Sequence, residues 1–357
     1  MSPNARPVTV RVAAVYRRLA ATSLGQVSLF LCVLLVSGAV SHVAAQNQET
    51  ALESFASDPL ARGWRIGGNP TLFSWNSAQQ GLDITWDSSK SNSFFYLPLN
   101  TILTKADDFQ LTFVLRMKDI TLGTTPGKPA EFPLALGWIN RQSITNQNGY
   151  RGAGVSPLYG IKNIAEWNFF PDAGFGDTWA TTIISTNNVF AYAHTFPLPL
   201  LTDGSYRITL HYDAANQTMQ TTALLNGQSV GTLEIVLLAN TPDFRLDAIS
   251  ISSYSDAIQI GPAIYHGSVL AHGTMEEITW TVPAPPLSNL TIRASAAGTF
   301  VEFSSKTNWL YILERSINLR EWRPASLGVT STGARVTLQD TNEPAPNAFF
   351  RIRAERP

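Results

Sequence analysis

Cysteine is nearly absent: Cys32 is the only one in 357 residues. It falls in an N-terminal segment that is expected to be removed, which leaves a chain with no disulfide and no thiol chemistry. An exported protein of that kind holds together by burial or by metal. Charge is also scarce, at 14% of residues. There is no basic excess, which argues against a nucleic-acid or anionic-membrane partner. No Gly-x-Ser-x-Gly elbow, phosphate loop or dinucleotide fingerprint occurs, so the common nucleophile and nucleotide chemistries have no motif to stand on. No long stretch repeats its apolar residues every 3.6 positions between caps, which excludes an α/β enzyme scaffold.

What is present begins with an address. Arg6, Arg11, Arg17 and Arg18 are the only charged residues among the first 45. An apolar run from Leu29 to Val40 follows, and Val43 and Ala45 meet the small-residue rule for cleavage before Gln46. Residues 1–45 are therefore expected to be a signal peptide. The run is shorter than the ~20 residues of a membrane span, so no membrane insertion is expected after cleavage. Arg17-Arg18 lacks the usual followers of a twin-arginine signal, and Cys32 sits inside the apolar core rather than at a lipidation site. Subtracting the four leader arginines from 25 basic residues leaves 21 against 26 acids, a net charge of −5.

Beyond the leader, apolar residues recur two apart, the period that lays one face of a strand on a core. The segments are Leu72–Trp75, Gly81–Trp86, Phe109–Met117, Tyr206–Tyr212, Met219–Leu225 and Phe244–Ile251. Turn signals separate them: Asp203-Gly204, Asn226-Gly227, and Ser57-Asp58-Pro59 ahead of the first expected strand. Asn226-Gly227 between two apolar runs predicts a two-residue hairpin. The fold class expected is all-β: a large two-sheet jelly-roll sandwich over residues 46–282, then a small immunoglobulin-like β-sandwich over 288–357. A proline-rich linker, residues 283–287, divides them. Trp309 and Trp322 are expected in the core of the small domain.

The small domain carries Tyr311-Ile312-Leu313-Glu314-Arg315-Ser316, Leu319-Arg320-Glu321-Trp322, Asp340 and Phe349-Phe350-Arg351-Ile352. These resemble the C-terminal β-module on large secreted proteins of environmental bacteria, roughly "Tyr-x-Leu-Glu-x-Ser-x-x-Leu-x-x-Trp … Asp-x-x … Phe-Tyr-Arg-Ile". The resemblance implies an accessory or attachment unit and brings no catalytic residue.

The stretch most open to chemistry is Ile164-Ala165-Glu166-Trp167-Asn168-Phe169-Phe170-Pro171-Asp172. On a strand, Glu166, Asn168 and Phe170 point to one face, and Trp167 and Phe169 to the other. A polar pair followed by a turn can converge on a hard cation, and calcium takes six to eight oxygens. The stretch resembles the metal strand of the legume-type and cargo-receptor lectins of the concanavalin-like superfamily, approximately "Val-Glu-Phe-Asp-Thr-Tyr-x-Asn". By position the resemblance implies ligand roles for Glu166, Asn168, the Phe170 carbonyl, Asp172 and, further on, Asp177. Asn168 stands where that pattern has its bridging aspartate, so one calcium ion is the most it implies. The same superfamily includes glycoside hydrolases with a "Glu-x-Asp-x-x-Glu" strand. Here Asn168 replaces the central acid and Pro171 the last one, which leaves Glu166 without the second carboxylate a retaining mechanism needs. The plain alternative is that Glu166 and Asn168 simply hydrogen-bond their neighbours.

Trp138, Trp167 and Trp179 are the candidates for a sugar platform on a concave sheet, set against the expectation that most tryptophans are core. His194, His211, His266 and His272 lack metal-ligand spacing. The polar run Ser252–Asp256, with Asp247, either lines a ligand site or is a plain turn. The function expected is a non-catalytic, exported binder of a glycan or surface polymer. A divergent polysaccharide hydrolase or lyase and a structural envelope or matrix protein remain as alternatives, because sandwiches host all three.

Overall fold

The computed structural model describes residues 48–128, 134–145, 160–171, 177–195, 200–256, 267–295, 298–340, 342 and 348–356. Gln46–Pro357 form one compact unit. In chain order its strands are β1 (Gln48–Glu53), β2 (Arg65–Gly67), β3 (Phe73–Asn76), β4 (Gly81–Asp87), β5 (Ser93–Leu103), β6 (Phe109–Leu122), β7 (Leu134–Ile139), β8 (Ile164–Phe170), β9 (Thr178–Ile184), β10 (Phe190–Thr195) and β11 (Ser205–Asp213). They continue with β12 (Thr218–Leu225), β13 (Gln228–Val236), β14 (Leu246–Ser253), β15 (Val269–Pro283), β16 (Leu287–Ser295), β17 (Gly298–Ser305), β18 (Leu310–Ser316), β19 (Arg323–Pro324), β20 (Val329–Thr330), β21 (Arg335–Gln339) and β22 (Phe349–Glu355). The one α-helix among the described residues is the short α1 (Arg141–Ile144), capped by the Asn140 side chain.

Two antiparallel sheets face each other. Sheet A runs β13-β12-β11-β6-β15-β4-β3, with β1 also on β15; sheet B runs β10-β9-β8-β7-β14-β5-β2. Each segment that alternates in the sequence falls on one of these strands, save that Leu72 precedes β3 and Phe244 and Arg245 precede β14. The chain adds one the turn signals did not announce: β1 precedes the Asp58 turn and pairs with the end of β15. Asn226 and Gly227 take φ of 49° and 82° and join β12 to β13 directly. Both positive angles belong to the hairpin turn that suits this pair of residues.

The main core fills the space between the sheets. Trp86, Phe109, Phe113 and Tyr212 enter it from sheet A, and Trp138, Trp167 and Ile251 from sheet B. Thr181 on β9 also points inward, where its hydroxyl donates to Thr221 on β12 at 2.6 Å across the two layers. The outer face of sheet A is polar, carrying ion pairs such as Arg207–Glu277 and Lys118–Asp83. The outer face of sheet B is different. Phe94, Ile139, Ile144, Ile161, Ile164 and Tyr254 form a second buried cluster there. Strands β7, β8, β9 and β14 are thus covered on both faces, while β10 at the edge is not.

Past β15, three residues lead into a three-stranded sheet, β16-β17-β21, and a four-stranded one, β19-β18-β20 with β22 on β18. Val301, Phe303, Trp309, Tyr311 and Leu313 form a separate core between them, and Ile102 of the large sandwich packs against it. The C-terminal Arg356 closes the joint. Its guanidinium pairs with the buried Asp107 and donates to the Ile102 carbonyl at 3.0 Å, while its own carbonyl accepts from Arg245 at 2.9 Å. Lys306 Nζ donates to the Ala284 carbonyl in the connection itself.

Trp322 is not in that core, contrary to expectation. It is half-buried, and the Arg351 guanidinium lies 4.4 Å from its ring. Glu314 accepts from Arg351 at 2.7 Å and pairs with Arg353 at 3.2 Å, and Asp340 pairs with Arg315 at 3.1 Å. The indole covers the outer side of the guanidinium that a buried carboxylate requires, a cation–π arrangement. The glutamate, tryptophan and arginine of the C-terminal motif are therefore one structural clasp.

Candidate functional site

The parity read from the sequence places Glu166, Asn168 and Phe170 on the outer face of sheet B and Trp167 and Phe169 in the main core. Around Glu166 the outer face is built of small residues. In register across the sheet stand Thr182, Glu166, Gly137 and Ser250; the next row is Ala180, Asn168, Ala135 and Ser252. Gly137 permits the close approach of β7 to β8. A Cβ there would sit 2.3 Å from the Ala165 carbonyl oxygen and 2.5 Å from the Glu166 Cα.

Glu166 is 2% exposed. Burying a carboxylate is costly unless hydrogen bonds replace its water, and here they do. Asn168 Nδ2 donates to Oε1 at 2.9 Å, and the Tyr254 hydroxyl donates to Oε2 at 2.8 Å. The Thr182 hydroxyl donates in turn to Asn168 Oδ1 at 2.9 Å. Ser250 and Ser252 share a hydrogen bond of 2.8 Å beside them. The polar run after β14 thus reaches the site through Tyr254. Asp256 is engaged elsewhere, accepting from the Ser88 hydroxyl at 2.6 Å, and Asp247 is bound by Arg141 at 2.9 Å.

This closure bears on calcium. The expected ligand set was Glu166, Asn168, Phe170, Asp172 and Asp177. Asp172 lies outside the described residues, and Asp177 is a partly exposed residue just before β9. Each Glu166 oxygen and the Asn168 carbonyl oxygen already accept a hydrogen bond. Among the described residues no three of His, Cys, Asp or Glu gather as metal ligands would. Glu166 and Asn168 thus spend acceptor capacity on each other, Tyr254 and Thr182, and nothing in the described part of the set gathers around a cation.

The tryptophans also depart from expectation. Trp138, Trp167 and Trp179 are 0%, 0% and 2% exposed in the main core. Trp167 meets Trp179 edge to face at 5.4 Å, and Trp138 meets Phe109 likewise at 5.4 Å. Their indole N–H groups have no hydrogen-bond partner among the described residues. All three face inward by strand parity, and no ring face is left for a sugar.

Exposed rings occur instead on the edge strand β10. Tyr192 is 44% exposed. Its ring lies 5.4 Å from that of His194, near parallel at 16°, and 5.0 Å from that of Phe190. The pattern Phe190-Ala191-Tyr192-Ala193-His194 carried the signal, rings on one face and alanines on the other. His211 and His272 lie on the outer face of sheet A, where His272 Nδ1 is 2.7 Å from Asp119. His211, with Gln48, Thr50, Gln110 and Thr281, lines a shallow depression of about 320 Å³. His266 is outside the described residues.

The large sandwich is similar to that of legume lectins. Peanut lectin, solved with a nine-residue peptide, is 13% identical with a TM-score of 0.41, covering 66% of this chain and 97% of that one. A legume lectin-like domain from Entamoeba histolytica gives 12% and 0.36, over 62% and 92%. A Bacillus subtilis protein of unknown function with a galectin-like fold gives 16% and 0.38, over 66% and 96%. Likeness at this level concerns the course of the chain and says nothing about the site. No protein-family model matches the chain, and no curated protein does.

Proposed function

We propose that this is an exported carbohydrate-binding protein that does not turn its ligand over, and that it binds at the β10 edge of sheet B. One observation supports the reading: Tyr192 and His194 stand exposed at that edge, whereas the row of small and neutral residues further in, around Glu166, is buried. Exposed aromatic rings offer the apolar surface that a sugar's C–H groups can contact. The absence of turnover is argued from Glu166. Its described neighbours on the face, Asn168, Thr182, Gly137 and Ser250, include no acid. They do not form the carboxylate pair, about 5 Å apart, of a retaining glycosidase. The seven strands beyond the connection serve as an accessory unit held against the sandwich by Arg356.

The test is retention of the purified protein on a panel of insoluble polysaccharides and on a glycan array, in calcium and in chelator. Binding to at least one glycan without release of reducing ends is expected. Silence across both panels removes the carbohydrate reading, and reducing ends abolished by Glu166→Gln replace it with hydrolysis.

A further inference from the structure

The small sandwich shows apolar side chains that its own core does not use. Three of them stand at one end: Ile317 is 69% exposed, Leu319 57% and Phe349 43%. Phe349 is the cross-strand partner of Ser316, so it flanks the loop that carries the other two. Scattered single residues of this kind need no explanation, whereas several at one place do. The loop is fixed by its own hydrogen bonds. Asn318 Oδ1 accepts from the backbone N–H groups of Arg320 and Glu321 at 2.9 Å each, and Ser316 Oγ accepts from the Asn318 N–H at 3.2 Å. Leu319 is held at φ 60°, a left-handed conformation that a bulky side chain seldom adopts. Asparagine suits that angle better but offers no apolar surface.

This end is the one remote from the large sandwich. β22 runs from Phe349 to Glu355, and Arg356 beyond it is fastened to Ile102 and Asp107. Six steps along a strand put Phe349 about 20 Å from that joint. The whole-chain charge argues against an anionic surface, but it conceals a split. Residues 46–287 hold 12 basic and 20 acidic side chains, a net −8, whereas residues 288–357 hold 9 and 6, a net +3. Arg320 and Arg323 stand exposed beside Leu319 with Glu321 as the acid between them. Arg323 meets Glu321 only at 3.6 Å in the open, a pairing worth little in water. A protein partner of standard size covers about 800 Å² a side, more than the end of one loop supplies. A lipid surface asks for less: a few apolar side chains to enter the headgroup layer and cations to meet its phosphates, both signals together. The acidic sandwich does little to oppose this, because about 20 Å exceeds two screening lengths of about 8 Å at physiological salt.

We propose that the distal end of the C-terminal module docks peripherally on an anionic lipid bilayer. Ile317, Leu319 and Phe349 enter the headgroup layer, and Arg320 and Arg323 face its phosphates. Glycan binding at β10 is independent of this contact.

The experiment is co-sedimentation of the intact protein with vesicles of phosphatidylcholine alone and of equimolar phosphatidylcholine and phosphatidylglycerol. Leu319→Asn, Ile317→Ser and the double variant Arg320→Glu, Arg323→Glu are compared with the parent, and melting curves check folding. The expected result is binding to the anionic vesicles, at least about ten-fold tighter than to phosphatidylcholine and weakened by salt. Leu319→Asn and Ile317→Ser each lower that affinity by about ten-fold, the size of one lost apolar burial. The double charge reversal abolishes the preference for anionic lipid. Leu319→Asn keeps or raises the Tm, since asparagine tolerates the left-handed angle; a purely structural leucine would not lose vesicle binding on that change. Equal or absent binding to the two vesicles overturns the proposal, as does anionic binding untouched by both apolar variants. Self-association of the parent that Leu319→Asn abolishes, without vesicle binding, assigns the end to a second copy instead. Each of these failures leaves the carbohydrate reading standing.

Discussion

Tyr254→Phe isolates the hydrogen bond that closes the outer-face cluster. It deletes one oxygen at a residue 1% exposed and leaves Glu166, itself 2% exposed, without the donor now 2.8 Å from Oε2. Hydrogen bonds to charged groups contribute about 1.5–3 kcal/mol, more than those between neutral groups. For a body of this size that is a fall in Tm of roughly 2–5 °C. Urea unfolding at neutral pH, followed by tryptophan fluorescence, gives the free energy directly. Glu166→Gln and the double variant complete a cycle, whose coupling is expected to exceed about 1 kcal/mol for groups in contact. A Tyr254→Phe protein within about 0.5 kcal/mol of the parent, additive with Glu166→Gln, refutes the claim that hydrogen bonds hold this carboxylate.

Calcium and chelator are expected to give the same Tm, since a ligand specific to the native state must raise the midpoint; a rise with calcium restores a metal to the Glu166 region. Asp83 titrates below its usual 3.8: burial alone raises it, but hydrogen bonds from Lys118, Thr274 and Asn76 outweigh burial. A depressed carboxylate contributes stability above its unfolded pKa and loses it as pH falls through the folded value. The Tm gap between the parent and Asp83→Asn is therefore expected at pH 7 and to close below pH 3.8; a gap that persists in acid contradicts this. Arg356→Ala strips the buried Asp107 of its cation and is expected to cost about 3 kcal/mol. Faster hydrogen exchange across β16–β22 reports it, and unchanged exchange with an unchanged Tm refutes the latch.

The sequence was most legible where one side of a strand meets water. Tyr206, Ile208, Leu210 and Tyr212 alternate with exposed Arg207 and His211 because the outer face of sheet A is solvated. On β7 and β9 every residue is buried, so alternation fades there and the strands read only as apolar runs. Parity alone put Glu166 and Asn168 on the correct face. Parity does not tell which face is covered, and it misleads for Trp138, Trp167 and Trp179, whose sides are settled by the opposite sheet. The partner that closes the site, Tyr254, is 88 residues away from Glu166. No local pattern announces a contact of that span. Tyr192 and His194 were visible as an alternation but carried no known motif.

Gln48 pairs with Pro283 at the mouth of the connection, and Arg356 is fastened to Ile102 and Asp107 beside it. Tension applied through either point enters the body at the same joint. It loads the ends of β1, β15 and β22 and, through the Ile102 carbonyl, the end of β5. Within sheet B that strand lies at the far side from β10, so the pull enters the ladder at the edge remote from the exposed rings.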